Sequence, residues 1–397
     1  MPERVAFLPA ALIAGEDMEL HYSFTLLVED GIITRIGAPE PRVPLVRLEN
    51  QLLCPMFIDA HTHVGDAGAK ELGLGLPMPR VVFPPEGVKH RFLSQVSPAE
   101  HVAMMRHALL EMLRSGVIAC GDFREQGLAG ARLLEEARQG LPISACILAR
   151  MTEGQPDDAL LAEGRELLSF CEGLGVRDVE SYPQAVLRQL RAEFPEKLFA
   201  LHADETRFQY QDSLARYGSG QAVAALPWQP DFAVHLTHTP PHDLERLARS
   251  AVLGVACPRA NLLLGDGVPD LPAWQEAGLS FGLGSDNLMV NAPDMLREMD
   301  TAFRLICGLR EDGTLANPAA ALRAATLDGA RALKLERRLG SLQVGKEASF
   351  IAFDLSRPNW RHSHNLLGSL VHRADIADIS AVYIKGRPLA DWLEGGS

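Results

Sequence analysis

Between residues 56 and 340 the chain repeats one unit: a short apolar run that ends in a polar residue, then a stretch with apolar positions at helical spacing. The runs are "LLCPMFIDAH" ending near His61, "VIACGDF" near Phe123, "ISACILAR" near Arg150, "KLFALHAD" near Asp204, "FAVHLTH" near His238, "VLGVAC" near Cys257 and "LSFGLGSD" near Asp286. A fourth strand is expected around Leu174–Asp178, where the pattern is faintest. Strands buried on both faces read as continuous apolar runs, and their alternation with helices marks a parallel sheet covered by those helices. The expectation is an α/β fold with a (β/α)8 TIM-type barrel. Helix starts agree with it. Ser97-Pro98-Ala99-Glu100 is a capping box with proline in the first turn, ahead of "HVAMMRHALLEMLRSG", which stops at Gly116. Asn317-Pro318 opens "AAALRAATLDGARAL" by the same logic.

The flanks have another texture. In "FTLLVEDGIITRIG" short strands flank Asp30-Gly31, a hairpin turn signal, and "GSLQVGKEASFIAFDL" and "ISAVYIKGRPL" repeat the texture beyond residue 340. Residues 1–55 plus 341–397 are therefore expected to build one small composite β-domain beside a barrel of residues 56–340. The 397 residues, 47% hydrophobic and 22% charged, supply core enough for both. No run approaches the roughly 18 uninterrupted apolar residues of a membrane helix. The Met1–Glu3 start leads into a β-rich segment rather than a signal sequence, so the expected location is cytoplasmic. A net charge of −13, with no basic cluster interleaved with aromatics, argues against nucleic acid as a partner. The expected partner is a small-molecule substrate, with no membrane association and room for a homo-oligomer. Cys54, Cys120, Cys146, Cys171, Cys257 and Cys307 form no CxxC pair and lie in mostly apolar settings, so no disulfide is expected.

In a parallel barrel every strand's carboxyl end opens onto one face, which would bring His61, His63, His202, His235 and Asp286 to a single pocket. His61-Thr62-His63 puts two imidazoles on the same side of a strand, because side chains alternate with period two. Alone, such a pair is as easily two hydrogen-bonded core histidines. Asp59, two residues earlier, is a ready partner to fix an imidazole tautomer. Glu205 lies three residues beyond His202, where a carboxylate reaches substrate without being a ligand. Asp286 leaves its strand through the glycine-rich turn of "GLGSDN", a placement that by itself is ordinary turn chemistry. Three imidazoles and one carboxylate together suit one divalent first-row ion, Zn2+ as the expected metal and Fe2+ as the alternative, with a position left for water. Such an ion lowers the water's pKa from about 15.7 towards neutrality.

With these residues in place, the sequence resembles the mononuclear aminohydrolase branch of the amidohydrolase superfamily, which includes the adenosine, cytosine and guanine deaminases and the triazine hydrolases. The resemblance runs nearly end to end. It rests on "FIDAHTHV", "HADET", "VHLTHT", "CPRANLLLG" and "GSDN" in that order, with "GSLQVGKEASFIAFD" similar to the strand that returns the chain to the small β-domain. It implies His61, His63, His202 and Asp286 as ligands, with Asp286 also taking a proton from the water. Glu205 would move a proton to a ring nitrogen or leaving group, and His235 would hold or polarise the water or substrate. His238, in the same "HLTHT", competes with His235 for that role. The implied reaction is hydrolytic deamination of a small heterocycle, with ring-opening hydrolysis of a cyclic amide as the alternative. A barrel that has lost catalysis and serves as an interaction protein is the reading from another class, and the presence of all four ligands and Glu205 counts against it. Met56 stands where the family usually has glycine and Ser349 where it usually has aspartate. No lysine ends the fourth strand to bridge two metals; Glu125 or Glu180 would have to stand in for it.

For substrate contacts, the long segment after His63 offers Lys89, His90 and Arg91 to an anionic group. Arg124 directly follows a strand end and is expected as a carboxylate clamp, or else as the partner of Glu125. His238, Arg259, Asn261 and Asn287 are the remaining candidates.

Overall fold

The computed structural model describes residues 4–394. The first strands are β1 (Arg4–Ala14), β2 (Glu19–Tyr22), β3 (Thr25–Glu29), β4 (Ile32–Gly37) and β5 (Leu45–Pro55). Asp30 and Gly31 join β3 to β4 with left-handed backbone (φ 50° and 82°), the conformation a two-residue hairpin turn needs.

The next strands are β6 (Phe57–His63), β7 (Val117–Arg124), β8 (Ser144–Ala149), β9 (Gly173–Val176), β10 (Leu198–Ala203), β11 (Phe232–His235) and β12 (Leu253–Ala256), and a last run is split into β13 (Phe281–Leu283) and β14 (Asp286–Asn287). They pair in parallel in the order β13-β12-β11-β10-β9-β8-β7-β6-β14. Only Gly284 and Ser285 separate β13 from β14. One half of the run pairs with β12, the other with β6 (Asp286 opposite Thr62, Asn287 opposite His63), so the sheet closes on itself. This is a TIM-like barrel. A side chain at Gly284 would meet the His61 backbone at 2.7 Å, which is why closure at β6 requires glycine there. Every residue of β6, β7 and β10 is buried, as continuous apolar runs covered on both sides must be.

Beyond the barrel come β15 (Phe350–Asp354), β16 (Ile379–Ile384) and β17 (Arg387–Pro388). They join the first strands in a second sheet of order β17-β16-β15-β5-β1-β3-β4, with β2 flanking β1. Phe7, Phe350 and Tyr383 pack there with ring centroids 4.8–5.3 Å apart. The run "LLCPMFIDAH" is thus two strands: it leaves the second sheet at Pro55 and enters the barrel at Phe57.

The helix Pro98–Arg114 starts with the expected capping box: Ser97 Oγ accepts from Glu100 N, and Glu100 accepts from Ser97 N. Gly116 ends it with φ 88°. The long segment after His63 folds into a 3-10 turn (Val64–Ala69) and two short helices (Met78–Val82 and Val88–Gln95). All six cysteines are free. Among the described residues no helix is long and apolar enough to cross a membrane.

Candidate active site

The strand ends bring four side chains into one cage. His63 Nε2 and His202 Nε2 face each other at 3.3 Å, His61 Nε2 lies 3.2 Å from Asp286 Oδ1, and His63 Nε2 lies 3.5 Å from the same oxygen. The tautomers follow from the far side of each ring. His63 Nδ1 donates to the carbonyl of Phe123 (3.0 Å) and His202 Nδ1 to that of Arg177 (3.2 Å). A carbonyl only accepts, so both Nε2 atoms carry bare lone pairs, and two lone pairs aimed at each other repel unless a cation lies between them. The separations suit one: four ligands about 2.0–2.1 Å from a tetrahedral zinc stand about 3.3 Å apart. Burial first, and the charge of Lys89 second, push the His63 imidazolium down to about 3, so the ring is neutral as a ligand must be. Burial alone would raise Asp286, but its hydrogen bond with His61 and its contacts with the His235 and His63 rings hold it below the usual carboxylate range.

Beside the cage, Glu205 Oε1 lies 3.6 Å from His235 Nε2, and Glu205, His235 and Asp286 offer oxygen and nitrogen atoms within 4.8 Å of one another. Asn261 Nδ2 donates to His235 Nδ1 at 3.2 Å, which leaves the imidazole proton on Nε2, facing Glu205. Burial, and after it the charge of Asp286, raises the Glu205 carboxyl above its ordinary range. His235 and Asp286 hold left-handed backbone (φ 74° and 63°), at a cost of about 1–3 kcal/mol each that the closed barrel overrides.

A cavity of about 250 Å³ opens from the cage, lined by His63, His202, Glu205, His235, Asp286 and Asn287. The other predicted contacts lie elsewhere or are already engaged. Arg124 is fully buried and turned away from the cavity: its guanidinium contacts Glu125 Oε2 at 2.5 Å and Asp122 Oδ2 at 3.5 Å, so the clamp expected of it is corrected to an internal ion pair. Lys89 borders the cavity, but its ammonium is taken by Asp66 and Glu125. His90 bonds the carbonyl of Val82, His238 that of Asp266, and Arg259 pairs with Glu298; none of the three lines the cavity. Asn261 braces His235 instead of substrate. Asp59 does not hold an imidazole. It accepts from Ser285 N (2.8 Å) and Ser285 Oγ (2.5 Å), pinning the turn before Asp286, while His61 Nδ1 stays without a partner. Glu125 stands behind His63, and Glu180 accepts from Gln221 Nε2 across the cavity.

Sequence reasoning missed Arg150 and Arg177 on the cavity's opposite wall and named Glu180 there only as a stand-in bridging carboxylate. Arg150 Nε and Glu180 Oε1 are the cavity's two buried polar atoms without a partner, and Arg150 makes no ion pair among the described residues. Arg150 follows the end of β8 as Arg124 ends β7, so the same strand-end signal marked it.

A neutral imidazole cage with an adjacent acid at the mouth of a TIM-like barrel defines a class, the barrel hydrolases that activate water on a metal. The particular family follows from comparison. The Amidohydrolase family is matched over residues 52–389. An uncharacterised protein of Methanocaldococcus jannaschii is 31% identical over 381 residues, 94% of this chain and 96% of its own. A 5-methylthioadenosine/S-adenosylhomocysteine deaminase of Syntrophomonas wolfei is 26% identical over 392 residues, 91% of this chain and 88% of its own. The crystal structure of an adenosine deaminase from Xanthomonas campestris with bound zinc superposes with a TM-score of 0.85 at 24% identity, covering 99% of this chain and 96% of that one. This chain belongs to the amidohydrolase family and is a hydrolase of carbon–nitrogen bonds.

Proposed function

We propose that the chain holds one divalent ion, zinc in the first instance, on His61, His63, His202 and Asp286, and hydrolytically deaminates a small heterocycle. The observation that carries this is the pair of bare Nε2 atoms facing each other at 3.3 Å beside the Asp286 carboxylate. When bound, the ion supplies Lewis acidity that lowers the pKa of a water towards neutrality. The chain's own groups move the protons. Asp286 is ionised and takes one from the water. Glu205, kept protonated by its burial, gives one to a ring nitrogen and so makes the neighbouring ring carbon electrophilic. His235, with its proton on Nε2, hydrogen-bonds the incoming oxygen, and Asn261 holds it in that tautomer. Water adds to the ring carbon, Asp286 passes the proton it took to the amino group, and the carbon–nitrogen bond breaks to release ammonia; the remaining hydroxyl proton returns to Glu205 as the carbonyl forms, and the proton Glu205 gave stays on the ring nitrogen.

The unpartnered Arg150 Nε and Glu180 Oε1 describe the rest of the substrate: an acceptor or anion towards one, a donor towards the other. The test is a screen of adenosine, 5-methylthioadenosine, S-adenosylhomocysteine, guanine, cytosine, triazines and cyclic ureas for ammonia release. If Arg150 takes a carboxylate, Arg150→Met raises KM for S-adenosylhomocysteine by about ten- to a hundredfold. 5-Methylthioadenosine, which lacks the carboxylate, should change little. Ring opening without ammonia would overturn the deaminase reading. We further propose that residues 1–55 with 341–397 form a unit distinct from the catalytic barrel of 56–340; the second sheet, shared by strands of both segments, supports this division.

A further inference from the structure

Lys89 lies on the helix Val88–Gln95 and is 2% exposed, yet the chemistry above gives it no task. Its Nζ stands 2.5 Å from Glu125 Oε1 and 3.3 Å from Asp66 Oδ2, and each carboxylate leads on to the cage. Glu125 Oε1 lies 3.0 Å from His63 Nδ1, the ring atom whose placement decides where Nε2 points. Asp66 accepts from Asn287 Nδ2 (2.8 Å) and from the backbone N of Met289 (2.9 Å), immediately after Asp286. One ammonium thus stands where the ends of β6, β7 and β14 meet. Arg124 also contacts Glu125, but it is part of β7; Lys89 comes from the short-helix segment that walls the cavity through Val82, Phe83 and Pro84. Burying an ammonium between two carboxylates costs desolvation that apolar side chains would avoid, and such groups earn their place by specifying position.

We propose that Lys89 is a positioning residue that couples the 78–95 segment to the metal cage: it orients Glu125 and Asp66, and through them His63 and the Asn287–Met289 turn, so that cavity wall and ligand set assemble as one unit. The proposal rests on the ligand assignment above. Coupling is reciprocal, so if Lys89 and the insert steady the cage, an ion in the cage steadies the insert.

Hydrogen exchange of the full chain, stripped of metal and then loaded with zinc, tests this. In the unmutated protein the amides of residues 78–95 should exchange about tenfold more slowly with zinc bound. In Lys89→Met the zinc-dependent ratio should fall to within about twofold, at unchanged zinc stoichiometry. A Lys89 that merely stabilises the fold would lower Tm and speed exchange in both states equally; a ratio left intact in Lys89→Met therefore overturns the proposal. So does an unmutated protein that takes up zinc without protecting 78–95. A protein that takes up no zinc removes the ligand assignment itself, and the proposal with it. If Lys89→Met does not accumulate as folded protein, Lys89→Met/Glu125→Gln, which discharges one of the two carboxylates that lose the ammonium, carries the same measurement.

Discussion

Glu205 lies 3.6 Å from His235 and groups with His235 and Asp286 beside the proposed cage, so replacing it tells proton transfer apart from metal binding. Glu205→Gln should keep the metal by elemental analysis and lose activity by about a hundredfold or more, the usual scale for a general acid. The acid must be protonated, so kcat/KM should fall as pH rises through its raised pKa, and that alkaline limb should vanish in Glu205→Gln. Arg124→Met should cost about 3 kcal/mol of stability, read as a lower Tm, and leave KM unchanged, because it strips a buried carboxylate of one partner. The convergence of the proposed ligands was legible because period two fixes where a strand side chain points: His61 and His63 had to share a side. The same rule, carried one step further, places Arg124. Phe123 packs edge-on against His61 at 4.6 Å, inside the barrel, so its neighbour faces out. Arg150 was missed although it follows a strand end as Arg124 does, because no motif surrounds it; in the structure its lack of a partner singles it out.

At the scale of elements, strands and helix starts were readable where a local signal marks them. Ser97→Ala removes the cap of the helix Pro98–Arg114 and should lower stability by about 1 kcal/mol in denaturant unfolding, with kcat unaffected. The division of the run "LLCPMFIDAH" into two strands was not read, although the expected boundary at 55/56 falls within it. Pro55, Met56 and Phe57 are all buried, and an apolar run that passes from one sheet to another has no turn chemistry to announce it. The short helices after His63 were hidden for a different reason: helices of one or two turns have too few positions to show a period. Their folded form follows from tertiary contacts such as the Lys89 ion pairs.

For the whole molecule, the proposed single cage fixes a stoichiometry. Dialysed protein should carry close to one zinc per chain by elemental analysis, and two retained ions would sink the mononuclear assignment. Adding zinc at about a hundred times its Kd should stabilise the fold by about 2.7 kcal/mol, visible as a rise in Tm after chelation is reversed. The split of the last run at Gly284-Ser285 reaches furthest. The cylinder has a zipper, and its final stitch, Asp286 against Thr62 and Asn287 against His63, carries two of the proposed metal ligands. New chain termini cut in the exposed turn at Glu153–Gln155 would leave that stitch whole, so a circular permutant opened there should still react. Deleting Ser285 would move Asp286 by one pleat to the opposite wall, leaving a tube neither fastened nor reactive.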